Sequence, residues 1–132
     1  MKVVIILTIF SIPLLVANPI KHDEICLSQL NLNENVMKPL LQQVYHPIDE
    51  SEDYNAFLKC FWKAIGYMAD DGTLYWDDIR LDYEAKFGKS TELMGVITDC
   101  KNKRLRGSNP GETAVKNQNC LMEGVVNRRL IG

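Results

Sequence analysis

Apolar side chains recur along this chain with the spacing of amphipathic helices. Within each of three segments they lie three or four residues apart, and the alternation expected of a half-buried strand is almost absent. The segments contain Phe57, Cys60, Phe61, Ala64 and Met68, then Trp76, Ile79, Tyr83 and Phe87, then Leu93, Val96, Ile97 and Cys100. A less regular stripe follows in Val115, Met122, Val125 and Val126.

Capping and turn residues between these stripes predict where the helices begin and end. Helix starts are predicted at Asn33 or Asn35, Ser51 or Asp53, and Ser90 or Thr91. The helix that starts near Asn33 is expected to run to about Val44. Turns are predicted at Asp70-Asp71-Gly72, at Gly88 and across the loop Gly107 to Gly111. With a short helix around Cys26, the sequence predicts one all-α domain of about six helices.

The N-terminus has the pattern of a secretory signal peptide. Lys2 precedes the uncharged run from Val3 to Val16, and Ala17 is a small residue suited to the position before cleavage. At 14 residues the run is shorter than the ~20 that a membrane-spanning helix needs. The alternative is a buried N-terminal helix. We expect residues 1–17 to be removed and residues 18–132 to form a secreted, extracellular domain.

Four cysteines remain in the expected mature chain: Cys26, Cys60, Cys100 and Cys120. An even number behind a signal peptide indicates two disulfides, each joining one helix to another. Their spacing lacks the close pairs of a zinc site. Loop-closure entropy gives each possible pairing a similar stabilisation, so it leaves the connectivity open.

Charge and motif content exclude several functions. Loss of Lys2 leaves 14 basic and 17 acidic residues, a balance that argues against binding nucleic acid. No later segment predicts a membrane span, and no metal or cofactor site is predicted. The only His-Asp pair, His22-Asp23, lies before Cys26 without a calcium loop, so we expect no enzyme. His22 and His46 are interpreted as surface residues, with a pH switch as the alternative.

The cysteine spacing resembles that of insect odorant-binding proteins of the pheromone/general-odorant-binding group. Members usually have six cysteines, with the second four positions before the third and the fifth nine positions before the sixth. In this chain those positions are Ala56 and Gly111. Loss of both removes one bridge between the third and sixth helices and leaves no unpaired thiol, as in the four-cysteine "minus-C" subgroup.

The resemblance implies bridges Cys26–Cys60 and Cys100–Cys120 and a helical bundle around an apolar cavity. It implies a carrier of odorants or pheromones that acts in olfaction. We expect the cavity to be lined by methionine, aromatic and aliphatic side chains, with a tyrosine or tryptophan as a polar contact. The candidate ligand-binding residues are Met37, Leu41, Tyr45, Phe57, Phe61, Met68, Trp76, Ile79, Tyr83, Phe87, Met94, Ile97, Met122 and Val126.

The expected partners follow from this carrier function. They are a small hydrophobic ligand and, by the resemblance, a membrane olfactory receptor, with the protein a monomer or weak homodimer. The alternative is a secreted signalling or venom-type protein on the same scaffold that acts through surface contacts with a receptor or partner chain.

Overall fold

The computed structural model describes residues 21–37 and 51–130. Within them lie five α-helices: α1 (His22–Gln29), α2 (Glu52–Ala64), α3 (Trp76–Phe87), α4 (Thr91–Lys103) and α5 (Pro110–Asn127). A short 3-10 helix (Glu34–Met37) follows α1, and these ranges contain no strand. The prediction of an all-α domain of about six helices is confirmed.

Side-chain caps begin three of the helices where the sequence offers a short polar residue. The Ser51 hydroxyl accepts a hydrogen bond from the Tyr54 backbone N–H at 3.1 Å, and the Ser90 hydroxyl accepts one from Leu93 N–H at 3.1 Å. Asn33 starts the 3-10 helix, and the rest of the helix predicted to reach Val44 lies outside the described residues.

The last helix begins earlier than the glycine-rich segment predicted. The loop was expected to extend through Gly111, but Asn109 caps α5 by accepting a hydrogen bond from the Glu112 backbone N–H at 2.9 Å. Pro110 is the first residue of α5, where its missing N–H and fixed φ suit a helix start. Gly111 therefore belongs to α5.

The predicted extension of α2 through Met68 to the Asp70–Gly72 turn is wrong. Gly66 has a φ of +87°, and the backbone N–H groups of Gly66 and Tyr67 donate to the carbonyls of Lys63 and Trp62. This helix end is a Schellman motif, in which a glycine in the left-handed conformation lets the following N–H groups pair with the last carbonyl groups of the helix. Met68 instead forms an isolated antiparallel bridge with Leu74.

Two disulfides join the helices in pairs. Cys26–Cys60 links α1 to α2, and Cys100–Cys120 links α4 to α5. This is the pairing that the resemblance implied. Since α2 makes its most extensive contact with α5, the two bridges connect α1, α2, α4 and α5 into one framework, and α3 packs against α4.

The core lies between α2, α4 and α5. Helix α3 adds Ile79 to it, and the fully buried aliphatic and aromatic side chains are Phe57, Leu58, Ile79, Leu93, Val96, Val115, Leu121 and Val125. Burial of each such side chain contributes ~1.5–3 kcal/mol to folding. No helix within the described residues is long and apolar enough to cross a membrane.

Candidate ligand-binding cavity

A cavity of about 360 Å³ opens between α2, α3 and α5. One stripe of α2 forms its first wall through Leu58, Phe61 and Trp62, and Ile65 continues it at the C-cap of the helix. These residues lie on one face of the helix because they are three or four positions apart. The volume falls within the ~300–1,000 Å³ typical of small-molecule pockets.

The facing walls come from α5, from α3 and from the turn after α2. Helix α5 contributes Gln118, Met122 and Val125, again at helical spacing. Helix α3 contributes Asp82, Tyr83, Lys86 and Phe87, and the turn after α2 contributes Tyr67. Asp82 and Lys86 are exposed, so they border the cavity on its solvent side.

Aromatic rings hold this wall in place. Trp62 and Tyr67 meet edge to face with ring centroids 5.3 Å apart, which ties the turn to α2. Phe57 and Phe61 stack with centroids 5.7 Å apart, although Phe57 is fully buried and only Phe61 faces the cavity. The core and the cavity therefore meet along α2.

Two tyrosine hydroxyls near the cavity are held in their neutral form. Burial raises the pKa of Tyr54 to about 12, and its O–H donates to the Gln118 amide oxygen at 3.2 Å. Burial, a hydrogen bond to Asp82 and the charge of that carboxylate raise the pKa of Tyr67. Both hydroxyls remain hydrogen-bond donors at neutral pH.

Four of the candidate ligand-binding residues line this cavity: Phe61, Tyr83, Phe87 and Met122. Five others are buried in the core away from it: Met37, Phe57, Met68, Ile79 and Ile97. Leu41 and Tyr45 lie outside the described residues.

The remaining candidates are elsewhere on the protein. Met94 and Val126 are 42% and 43% exposed and are not part of the cavity wall. Trp76 borders a separate recess next to Lys101, Arg104 and Arg106.

Sequence reasoning did not select eight of the lining residues: Leu58, Trp62, Ile65, Tyr67, Asp82, Lys86, Gln118 and Val125. The i, i+3, i+4, i+7 spacing of the α2 residues Leu58, Phe61, Trp62 and Ile65 would have identified that wall. No pattern in the sequence distinguishes Gln118, because its place in the cavity depends on packing against α2.

Helices α2 and α5 pack closely at Gly111, one of the two positions that the cysteine spacing aligned with a third bridge. A Cβ atom added at Gly111 would overlap the carbonyl oxygen of Asn55 and lie 2.9 Å from its carbonyl carbon. Asn55 is the neighbour of Ala56 in the chain. The two helices therefore approach each other here through a glycine-to-backbone contact.

A second apolar recess, of about 510 Å³, lies between α1 and α2 beside the Cys26–Cys60 bridge. Lys59 and Lys63 lie in its wall together with the exposed side chains of Ile25 and Leu30. None of the described residues that line it is aromatic. The cavity between α2, α3 and α5 is thus the better candidate for a buried apolar ligand.

The family model of the PBP/GOBP family matches residues 16–124. The chain belongs to this family. The match covers all four cysteines, and the two disulfides fit the minus-C type. Comparisons with curated proteins and with solved structures each found no match.

The described residues contain no group of three or more histidine, cysteine, aspartate or glutamate side chains placed to hold a metal ion. The four cysteines are all engaged in disulfides. The described lining of the cavity offers apolar contacts together with a few hydrogen-bonding groups.

Proposed function

We propose that this protein is a secreted carrier that reversibly binds hydrophobic small molecules, such as odorants or pheromones, between α2, α3 and α5. It acts by binding and release rather than by catalysis. Membership of the PBP/GOBP family supports the proposal. The observation that carries it is a cavity of about 360 Å³ whose walls are mostly aromatic and aliphatic side chains.

The cavity walls account for moderate affinity. A volatile compound that buries ~300 Å² of apolar surface gains about 7–8 kcal/mol at ~25 cal/mol per Å². Association and ordering costs offset several kcal/mol of this gain. The remaining free energy corresponds to dissociation constants around micromolar, which suit reversible transport.

Displacement of the fluorescent probe N-phenyl-1-naphthylamine tests the carrier function. We expect several unrelated volatile compounds to displace the probe at micromolar concentrations. Substitution of Met122 by Trp places a larger side chain in the cavity and should weaken probe binding at least tenfold, since a filled cavity cannot accept a ligand. Probe fluorescence gives the dissociation constant.

Met94→Trp is the matched control, because Met94 is 42% exposed and lies outside the cavity. It should leave probe affinity unchanged, and circular dichroism should show both variants folded. If no hydrophobic compound displaces the probe from the wild type, or if both variants bind equally well, the proposed carrier site is wrong.

Secretion follows from the proposed signal peptide and from the two disulfides, which persist in oxidising compartments. Protein secreted by a eukaryotic host should begin at Asn18. Intact-mass measurement with N-terminal sequencing checks this, and a secreted chain that retains Met1 would contradict it.

A further inference from the structure

Gln118 provides a polar group on the buried wall of the cavity. Its side chain is 5% exposed and lines the cavity from α5, beside Met122 and Val125. Since burying an unpaired amide in apolar surroundings costs free energy, its orientation decides what the cavity offers to a ligand.

A second buried residue fixes this orientation. Tyr54 is 2% exposed, and its single hydroxyl proton needs an acceptor. The Gln118 amide oxygen supplies that acceptor, 3.2 Å from the Tyr54 hydroxyl oxygen. Because the two ends of an amide point in different directions, holding the oxygen against Tyr54 leaves the two N–H donors for other partners.

Three other polar side chains in the wall, those of Tyr67, Asp82 and Lys86, have different surroundings. The Tyr67 hydroxyl is already close to a carboxylate, because the charge of Asp82 contributes to raising its pKa. Asp82 and Lys86 are exposed, so water competes for any hydrogen bond they make to a ligand. A donor on the buried side of the cavity is shielded from that competition, and Gln118 occupies that side.

We infer that Gln118, oriented by Tyr54, determines ligand specificity by donating an amide N–H to an acceptor oxygen of the bound molecule. The favoured ligands are apolar compounds with one carbonyl group, such as long-chain ketones, aldehydes or esters. Hydrocarbons of the same shape are disfavoured because they leave the amide donors unpaired. This inference rests on the proposed carrier function.

A pair of ligands with the same shape tests the hydrogen bond. Undecan-2-one and 2-methylundec-1-ene differ only in whether a C=O or a C=CH₂ group occupies one position. The quantity measured is the ratio of their dissociation constants, obtained by displacement of N-phenyl-1-naphthylamine. Comparing this ratio between protein variants cancels the different hydration of the two ligands.

Gln118→Met keeps the length of the side chain and removes the donors. We expect it to weaken ketone binding by about three- to tenfold relative to the alkene, the size of one hydrogen bond to a neutral partner. Tyr54→Phe frees the amide to rotate and should give a smaller change in the same direction. Met94→Leu, an apolar change at an exposed position outside the cavity, should leave the ratio unchanged.

Gln118→Glu is a second variant that keeps an acceptor for Tyr54. At mildly alkaline pH its carboxylate has no donor, so the ketone preference should also fall. Infrared spectroscopy of carbonyl-labelled ketone gives an independent readout. The C=O stretch of the bound ketone should lie at lower frequency in the wild type than in Gln118→Met, because a hydrogen bond weakens the carbonyl bond.

The outcomes separate this inference from the carrier function. If both ligands displace the probe but neither substitution of Gln118 changes their ratio, the role of Gln118 is wrong and the carrier function stands. If neither ligand displaces the probe from the wild type, the carrier function itself fails. An unchanged carbonyl frequency in the wild type and Gln118→Met would also overturn the inference.

Discussion

Helices α2 and α5 pack together differently at two places along their length. At the contact end, defined by Tyr54, Asn55 and Gly111, the absence of a side chain on Gly111 lets α5 lie against the α2 backbone. At the cavity end, defined by Phe61 and Met122, the same helices form walls of a cavity of about 360 Å³.

This difference shows how a small domain can keep a solvent-connected cavity between its helices. Close packing gains dispersion energy and apolar burial, whereas a cavity forgoes both. The tight contact end and the Cys100–Cys120 bridge hold α5 in place. The cavity end can therefore remain open without loss of the fold. The hydrogen bond between Tyr54 and Gln118 joins the two regions.

The largest effect on stability should come from Phe57, and Phe61, one turn further along α2, provides the comparison. Phe57 is 0% exposed, and Phe57→Ala should lower the free energy of unfolding by about 3–5 kcal/mol. Phe61 is partly buried and faces the cavity, so Phe61→Ala should cost less than half as much and should weaken probe binding more. Urea unfolding followed by circular dichroism measures the difference. If Phe57→Ala and Phe61→Ala lowered the free energy of unfolding equally, the cavity end would be packed as tightly as the core.

An intermediate effect is expected at the contact end. Gly111→Ala places a Cβ against the Asn55 carbonyl group, which cannot move without α2. The helices must shift apart, and we expect a loss of about 1–3 kcal/mol. Thermal unfolding followed by circular dichroism gives the change.

Gly95→Ala is the control for this prediction. The three atoms nearest to a Cβ added at Gly95 all belong to the end of the Arg128 side chain, whose ion pair with Asp99 is exposed. Because alanine favours the helix more than glycine, this variant should be stabilised by about 0.5–1 kcal/mol. A destabilisation of both variants by the same amount would show that the Gly111 contact is not special.

The smallest effect at neutral pH should come from the hydrogen bond between the two regions. Tyr54→Phe should lower the free energy of unfolding by about 0.5–1.5 kcal/mol. The effect depends on pH, because the pKa of Tyr54 is raised from 10.0 to about 12 by burial. A raised pKa means that the folded state binds this proton more tightly, so the contribution is complete below about pH 10 and is lost as pH rises towards 12.

Urea unfolding at a series of pH values measures this slope. Stability of the wild type should fall more steeply than that of Tyr54→Phe above about pH 10. Tyr67, whose pKa is also raised, contributes the same slope to both proteins, so the difference reports Tyr54 alone. Parallel curves would mean that Tyr54 is not buried in the folded protein.

Local chemistry made much of the fold predictable. Ser51 and Ser90 cap helices because a short side-chain oxygen reaches an unpaired N–H group within one turn. Gly88 ends α3 at a φ of +83°, which glycine adopts without strain. The end of α2 was predicted too late because Met68 continued the helical spacing, although Gly66 carried the stop signal.

The cavity wall was less predictable, because apolar periodicity does not separate core from cavity. Phe57 and Phe61 lie on the same stripe, yet one is enclosed and the other faces the cavity. Val126 was predicted as a ligand contact, whereas its neighbour Val125 lies in the wall. A difference of one residue is about 100° around a helix, so only the packing partners decide which valine faces inward.

The sequence by itself determined the helical class, the starts of α2 and α4 and the positions of four cysteines, because these depend on spacing and on contacts within one turn. The tertiary structure alone decided the close approach at Gly111, the open space beside Phe61 and the orientation of Gln118. These depend on residues distant in the chain: Tyr54 and Gln118 are 64 positions apart. The shape and polarity of the cavity arise from how whole helices pack, which no local pattern encodes.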